Sequence, residues 1–160
     1  MSQVKLKKVP AKTVVFKMGK GPYDQMPQVL EQLALWIREN GYTPLGFPTV
    51  VYHSSPLGVP PEQSEWEIFI AIDSDNVAEI PETDTTPGIK QVPVRQVLAC
   101  EYHAGRDDLV ATYQSLFSRM ISDGYRLTGP AEEEYLKDPT QTPPEAMESE
   151  IRLPVEKKGN

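Results

Sequence analysis

The stretch PPEQSEWEIFIAI at residues 60–72 returns 83 positions later as PPEAMESEIRLPV at residues 143–155. In both copies, two prolines and a glutamate precede a run in which alternate positions are apolar. Because successive side chains of a β-strand point to opposite faces of its sheet, this alternation predicts a strand with one apolar face. The proline-rich segment before each run is typical of a loop. The sequence therefore predicts the same loop-and-strand unit twice.

The similarity extends outward from these two strands over the whole chain. An ungapped offset of 83 residues leaves 77 pairs, of which 17 are identical, whereas roughly five identities are expected by chance from average composition. Tyr52, for example, meets Tyr135. We therefore interpret the chain as a single domain made of two pseudo-repeats, residues 7–73 and 90–156, joined by a linker at residues 74–89.

Each repeat has the same predicted order of elements: a strand, a helix and two further strands. The helices are expected to begin near Asp24 and Asp107, which would be caps or acidic residues of the first turn. They are expected to end at Gly41 and Gly124. The predicted strands are residues 13–17, 49–53 and 66–72 in the first repeat and residues 96–102, 132–136 and 150–155 in the second. The predicted fold class is α+β, with duplicated β-α-β-β units, antiparallel sheets, one main helix per unit and a cleft between the two halves.

Composition and charge restrict the classes of function. The chain has 160 residues and a net charge of −7, and an acidic surface repels phosphate backbones, so direct nucleic-acid binding is disfavoured. A single cysteine, Cys100, excludes an internal disulfide and fits a reducing, cytoplasmic location. No apolar run is long enough to span a membrane, and residues 1–12 lack the apolar core of a secretory signal. His53 and His103 do not have metal-ligand spacing, so no metal is expected, and without a phosphate-cradling Gly-rich motif no cofactor is expected either.

The alternation in residues 66–72 separates two faces of the predicted strand. Glu67 and Phe69 lie on the face opposite to the apolar, helix-packing set, and Glu150 and Arg152 occupy the corresponding positions in the second repeat. A solvated face would explain these glutamates without any function. The alternative is that the duplicated glutamates line a pocket, because carboxylates beside aromatic rings suit flat, cationic, apolar ligands.

The remaining candidate ligand contacts are aromatic. Tyr52 and Tyr135 hold matched positions on neighbouring strands. Trp66 falls on the helix-facing set and is predicted to lie in the core, although fraying of the strand end could turn it outward. Trp36 and Tyr113 lie on the predicted helices. Trp36 is expected to pack in the core or on the helix surface, and the alternative is that it lines the rim of a pocket. Tyr113 belongs to the apolar stripe of its helix and is also a candidate contact.

Four segments carry a likeness to a known family: GPAEEEYLKDP at residues 129–139, TPPE at residues 142–145, SEIRLPV at residues 149–155, and YHAG at residues 102–105 ahead of the second helix. With these segments the chain resembles the GyrI-like (gyrase-inhibitor-like) domain family over nearly its whole length, and the C-terminal third is the most specific part. The resemblance implies a duplicated, SHS2-like β-α-β-β fold. It also implies the function of an effector-binding domain, as in multidrug-sensing regulators of the MerR and AraC types. Because the first strand begins near residue 13, we expect the chain not to be a transcription factor itself.

The resemblance also implies a set of site residues. Glu133 and Glu150, with Tyr135 beside the former, are implied to face a hydrophobic, aromatic pocket for cationic drugs. Arg152 departs from the family pattern, in which an aromatic or apolar residue is common, and pairing with Glu150 would weaken cation binding. The expected partners are small hydrophobic or cationic aromatic molecules.

Two further functions stay open at this stage. Stand-alone members of the family include hydrolases that open strained cyclopropane rings of alkylating natural products, and a glutamate whose pKa is raised in an apolar cleft can act as general acid or base. The candidates for such a role are Glu67, Glu133, Glu150, Tyr52 and Tyr135, with Glu150 and Tyr52 favoured. The other alternative is modulation of DNA gyrase through the acidic surface.

Overall fold

The computed structural model describes residues 3–55, 57–74 and 77–159, which form nine strands and two α-helices. The strands are β1 Lys5–Val9, β2 Lys12–Lys20, β3 Thr49–Tyr52, β4 Glu65–Ala71, β5 Gly88–Val92, β6 Arg95–His103, β7 Tyr125–Leu127, β8 Glu132–Tyr135 and β9 Glu148–Lys157. The helices are α1 Met26–Glu39 and α2 Leu109–Ser122. The predicted α+β class is confirmed, and every predicted helix and strand is present.

The chain divides into two compact units. The central unit is Ala11–Pro93, and the terminal unit consists of Met1–Pro10 together with Val94–Asn160. The central unit is continuous in sequence, whereas the terminal unit is assembled from both ends of the chain. The two units therefore do not contain the same residues as the two sequence repeats.

The central unit is an antiparallel sheet in the order β3-β4-β2-β5. Helix α1 covers one face through its buried residues Leu33 and Ile37. The fully buried Trp66 also lies on this face, and its indole Nε1 donates a hydrogen bond of 3.0 Å to the carbonyl of Gly21. Its ring lies over Gly19, where an added Cβ would overlap with the indole. Glycine at position 19 therefore makes room for the largest side chain of this core.

The terminal unit has the antiparallel order β1-β6-β9-β8, and β7 pairs with the C-terminal part of β9. Helix α2 covers one face. The core beneath it comprises Leu98, Cys100, Tyr113, Leu116, Ile151, Leu153 and Val155. The predicted helix-facing set of β9 is therefore correct, because the alternation of a strand assigns every second side chain to the same face.

Strands β1 and β5 are exchanged, because each precedes the predicted first strand of one repeat and pairs with that of the other. Strand β1 precedes β2 in the sequence but pairs with β6, with Lys7 opposite Val97. Strand β5 precedes β6 but pairs with β2, with Lys90 opposite Val14. Neither strand is among those predicted from the sequence, and the first two residues of β5 fall in the predicted linker 74–89. Residues 75 and 76 of that linker lie outside the described residues.

The helix ends follow the predicted pattern more closely than the helix starts. Gly41 and Gly124 have φ angles of 77° and 75°, and this left-handed conformation at a helix end favours glycine. Helix α2 is capped by Asp108, whose carboxylate accepts a hydrogen bond of 3.2 Å from the amide of Val110. Asp107 instead accepts a hydrogen bond from the amide of His103, so the cap lies one residue later than predicted. Asp24 lies in a short 3₁₀ turn that precedes α1.

Candidate functional site

The face of the central unit opposite to α1 carries a buried carboxylate in apolar surroundings. The side chain of Glu67 is only 3% exposed, and its partners in the sheet register are Met18 and Val51. Phe69 and Phe16 follow on the same face, where they form part of an apolar cluster. We call this surface the Glu67 face, defined by Phe16, Met18, Val51, Glu67, Phe69 and Lys90.

Two side chains contact the carboxylate of Glu67. The ammonium of Lys90 forms an ion pair with Oε2, and Nε2 of His53 lies 2.8 Å from Oε1. The same ammonium lies 4.3 Å from the ring centroid of Phe16, within the range of a cation–π interaction. The Glu67 face therefore holds the ammonium of Lys90 between a carboxylate and an aromatic ring.

The equivalent carboxylate of the terminal unit is Glu150, on the face opposite to α2. Nζ of Lys7 donates to both of its oxygens, at 2.9 and 3.1 Å. This pair is the counterpart of the Lys90–Glu67 pair at the same offset of 83 residues. Nε of Arg152 also donates to Glu150, at 2.7 Å, so the pairing considered from the sequence is present.

Arg152 extends this contact into a charge network. Its guanidinium lies 3.4 Å from Glu132 and 3.2 Å from Glu134, and Arg95 forms a further ion pair with Glu132. Burial by itself would raise the pKa of Glu150, but the hydrogen bonds from Lys7 and Arg152 outweigh it, and the pKa lies below its ordinary value. Glu150 is therefore ionised at neutral pH and is poorly suited to the general-acid role considered from the sequence.

The matched tyrosines lie on the other faces of their sheets. In β8, Glu133 is opposite Ile151 and Tyr135 is opposite Ser149, on the face that α2 covers. The hydroxyl of Ser149 donates a hydrogen bond of 2.5 Å to Glu133. Burial, and then the charge of Glu133, raise the pKa of Tyr135. The structure thus brings Glu133 and Tyr135 together, but on the face opposite to that of Glu150.

Tyr52 has the corresponding position in the central unit. It is opposite Trp66 in the register, and its ring meets that of Tyr23 edge to face at a centroid distance of 5.9 Å. Because Glu67 and Trp66 are adjacent in β4, they lie on opposite faces. Tyr52 therefore does not share a face with Glu67.

The other aromatic candidates lie in packing positions. Tyr113 belongs to the core under α2 and Trp66 to the core under α1. Trp36 is half-buried and stacks on Tyr42 at a centroid distance of 6.0 Å. Of the candidates named from the sequence, Glu67 and Phe69 are the ones that the structure places together on the Glu67 face.

The structure adds residues to which sequence reasoning assigned no role. Lys7 and Lys90 are identical at the repeat offset, which was the available signal, but their strands were not predicted. Phe16 was assigned to a strand without a face. These residues meet their partners only because strands that are remote in sequence pair with each other, as for Lys7 and Glu150.

Among the residues that the structure describes, no group of three or more His, Cys, Asp or Glu side chains could hold a metal ion. His103 is instead paired with Glu148 at 2.9 Å. None of the described helices has the length and apolar character needed to cross a bilayer.

Two curated proteins are similar to this chain in sequence. DNA gyrase inhibitor 1 of Dickeya dadantii (strain 3937) is 28% identical over 105 residues, which cover 65% of this chain and 67% of that protein. The DNA gyrase inhibitor of Erwinia billingiae (strain Eb661) is 26% identical over 140 residues, which cover 86% of each chain.

Solved structures share the fold at low sequence identity. The C-terminal domain of EcmrR has a TM-score of 0.80 at 18% identity, with 99% of both chains covered. A hydrolase from Listeria innocua has a TM-score of 0.65 at 19% identity, with coverage of 96% and 92%. SAV2435 bound to tetraphenylphosphonium has a TM-score of 0.50 at 15% identity, with coverage of 96% and 94%.

The family assignment rests on a match along almost the whole chain. A family model described as the GyrI-like small molecule binding domain matches residues 2–156. The duplicated β-α-β-β order, with one helix in each unit, agrees with the fold that the resemblance implies. The chain therefore belongs to the GyrI-like family of small-molecule-binding domains.

Proposed function

We propose that this domain binds bulky hydrophobic cations, often aromatic, and that the Glu67 face contacts their charged centre. The observation that carries the proposal is the position of the Lys90 ammonium, between the Glu67 carboxylate and the Phe16 ring. A carboxylate and an aromatic ring are the two groups that recognise an organic cation at a site with little access to water. The cytoplasm is the proposed location, because the single cysteine fits a reducing compartment.

The comparison of equivalent positions favours Glu67 over Glu150 as the ligand contact. At the offset of 83 residues, Phe69 corresponds to Arg152 and Phe16 corresponds to Ala99. The carboxylate of the terminal unit is therefore held by a buried guanidinium and has no aromatic neighbour at these positions. The carboxylate of the central unit has two aromatic neighbours, forms an ion pair with a lysine and contacts a histidine ring nitrogen.

A pair of probes with the same shape and opposite charge tests this proposal. Isothermal titration calorimetry with tetraphenylphosphonium and tetraphenylborate is expected to show binding of the cation and rejection of the anion. Glu67→Gln removes the charge at nearly constant size, and we expect it to weaken cation binding by at least about tenfold. Glu150→Gln is the matched control and is expected to leave the affinity unchanged.

Two outcomes would contradict the proposal. Equal affinity for the cation and the anion would show that charge does not contribute to recognition. Unchanged cation affinity in a folded Glu67→Gln variant would show that the Glu67 face is not the site. Thermal unfolding followed by circular dichroism establishes that each variant is folded before it is titrated.

Modulation of DNA gyrase is the second candidate, because two relatives carry the name DNA gyrase inhibitor. The net charge of −7 suits contact with a basic protein surface better than contact with DNA. In a supercoiling assay with purified gyrase and relaxed plasmid, we expect inhibition that increases with the concentration of this protein. Absence of inhibition at a large molar excess would remove this candidate, whereas retention of inhibition by Glu67→Gln would separate it from cation binding.

A further inference from the structure

We propose that Lys90 is a built-in competitor of the ligand, whose cationic group takes the place of the Lys90 ammonium on the Glu67 face. This inference rests on the proposed function, which it deepens by naming the residue that sets the threshold for binding. On this view Lys90 keeps Glu67 neutralised while the site is empty. It then moves its ammonium into solvent when a stronger cation binds.

The burial of the two partners supports an exchange in which only Lys90 moves. The side chain of Glu67 is 3% exposed, whereas that of Lys90 is 32% exposed. The backbone of β5 is held by pairing with β2 and by mutual hydrogen bonds between Ile80 and Ile89. The lysine side chain can therefore turn into water while its strand and the carboxylate stay in place.

Hydration explains why a bulky cation would displace the lysine. An ammonium is a compact and strongly hydrated charge, so its return to water recovers much of the cost of the lost ion pair. A large delocalised cation is weakly hydrated, so it loses less on burial, and its apolar groups gain contact with Phe16 and Phe69. A neutral ligand would have to bind beside the intact Lys90–Glu67 pair. Lys90 thus selects for cations that bind more strongly than its own ammonium.

The terminal unit supplies an internal comparison. Lys7 pairs with Glu150 as Lys90 pairs with Glu67, but Glu150 also accepts a hydrogen bond from the buried Arg152. Departure of Lys7 would therefore leave the charge of Glu150 compensated. Substitution of Lys7 removes the same type of side chain from the equivalent place and serves as the matched control.

The test measures the affinity for tetraphenylphosphonium at mildly alkaline pH. We expect Lys90→Met to bind on the order of tenfold more tightly than the unsubstituted protein, because the competing cation is removed. Lys90→Arg retains a cation and is expected to show no such gain, and Lys7→Met is expected to leave the affinity unchanged. An unchanged or weaker affinity in Lys90→Met, alongside clear binding by the unsubstituted protein, would overturn the role of Lys90. Failure of both proteins to prefer tetraphenylphosphonium over tetraphenylborate would instead overturn the proposed function.

A second measurement keeps the inference testable if Lys90→Met does not fold. Because the Lys90 ammonium lies 4.3 Å from the ring centroid of Phe16, we expect the ring to shift the nuclear magnetic resonance signals of the Lys90 ε-methylene group. Saturation with tetraphenylphosphonium is expected to move these signals to the position of solvent-exposed lysines, while the signals of Lys7 remain in place. Lys90 signals that stay unchanged at saturation would overturn the inference.

Discussion

Replacement of Arg152 by methionine is expected to lower the free energy of unfolding by about 3–5 kcal/mol, the range seen when one partner of a buried ion pair is removed. Arg152 is buried and contacts Glu132, Glu134 and Glu150. Methionine fills a similar volume but leaves these carboxylates with less compensating charge. Urea denaturation followed by circular dichroism measures the change.

The pH dependence of this variant separates a charge effect from a packing effect. Glu150 has a folded-state pKa below its ordinary value of 4.5. Its pairing therefore contributes stability above that pH, and the contribution is lost as the pH falls through the lowered value. The deficit of Arg152→Met should accordingly shrink in acid. A deficit that is the same at neutral and acidic pH would show that packing, rather than charge, is lost.

Replacement of Trp66 by alanine is expected to cost about 3–5 kcal/mol, the usual range for truncation of a buried aromatic side chain to alanine. The indole is fully buried and donates a hydrogen bond to the carbonyl of Gly21. Alanine would leave a cavity under α1 and an unpaired carbonyl. Urea denaturation again gives the change in the free energy of unfolding.

A double-mutant cycle with Gly19 tests the geometric reason. An added Cβ at Gly19 overlaps with the Trp66 ring, so Gly19→Ala alone is expected to destabilise the protein. In the Trp66→Ala background the space is empty, and the same substitution should cost much less. Additive effects of the two substitutions would contradict the proposed close packing of these residues.

The duplication has left two equivalent carboxylates in different environments. The central unit places phenylalanine beside Glu67, whereas the terminal unit places arginine beside Glu150. A buried guanidinium donates several hydrogen bonds to carboxylates, so a ligand cation has few carboxylate contacts to take over. A lysine with a partly exposed side chain is easier to displace. In our proposal, this difference gives Glu150 a structural role and Glu67 the ligand-binding role.

The sequence by itself determined the local elements and the faces of single strands. The alternation in β4 and β9 separated Glu67 and Glu150 from the helix-packing residues, and Gly41 and Gly124 marked the helix ends. These features depend on the period of the local backbone and on the few residues that tolerate a left-handed conformation, so they can be read from neighbouring positions.

Only the tertiary structure decided which side chains meet across strands. The exchange of β1 and β5 placed Lys7 against Glu150, 143 positions away, and Lys90 against Glu67. Register likewise put Tyr52 and Tyr135 on the faces opposite to those glutamates. A shift of one residue in register moves every side chain of a strand to the other face, and the register depends on distant pairing partners. Local periodicity therefore predicted the two carboxylates, Glu67 and Glu150, but not the lysines that pair with them.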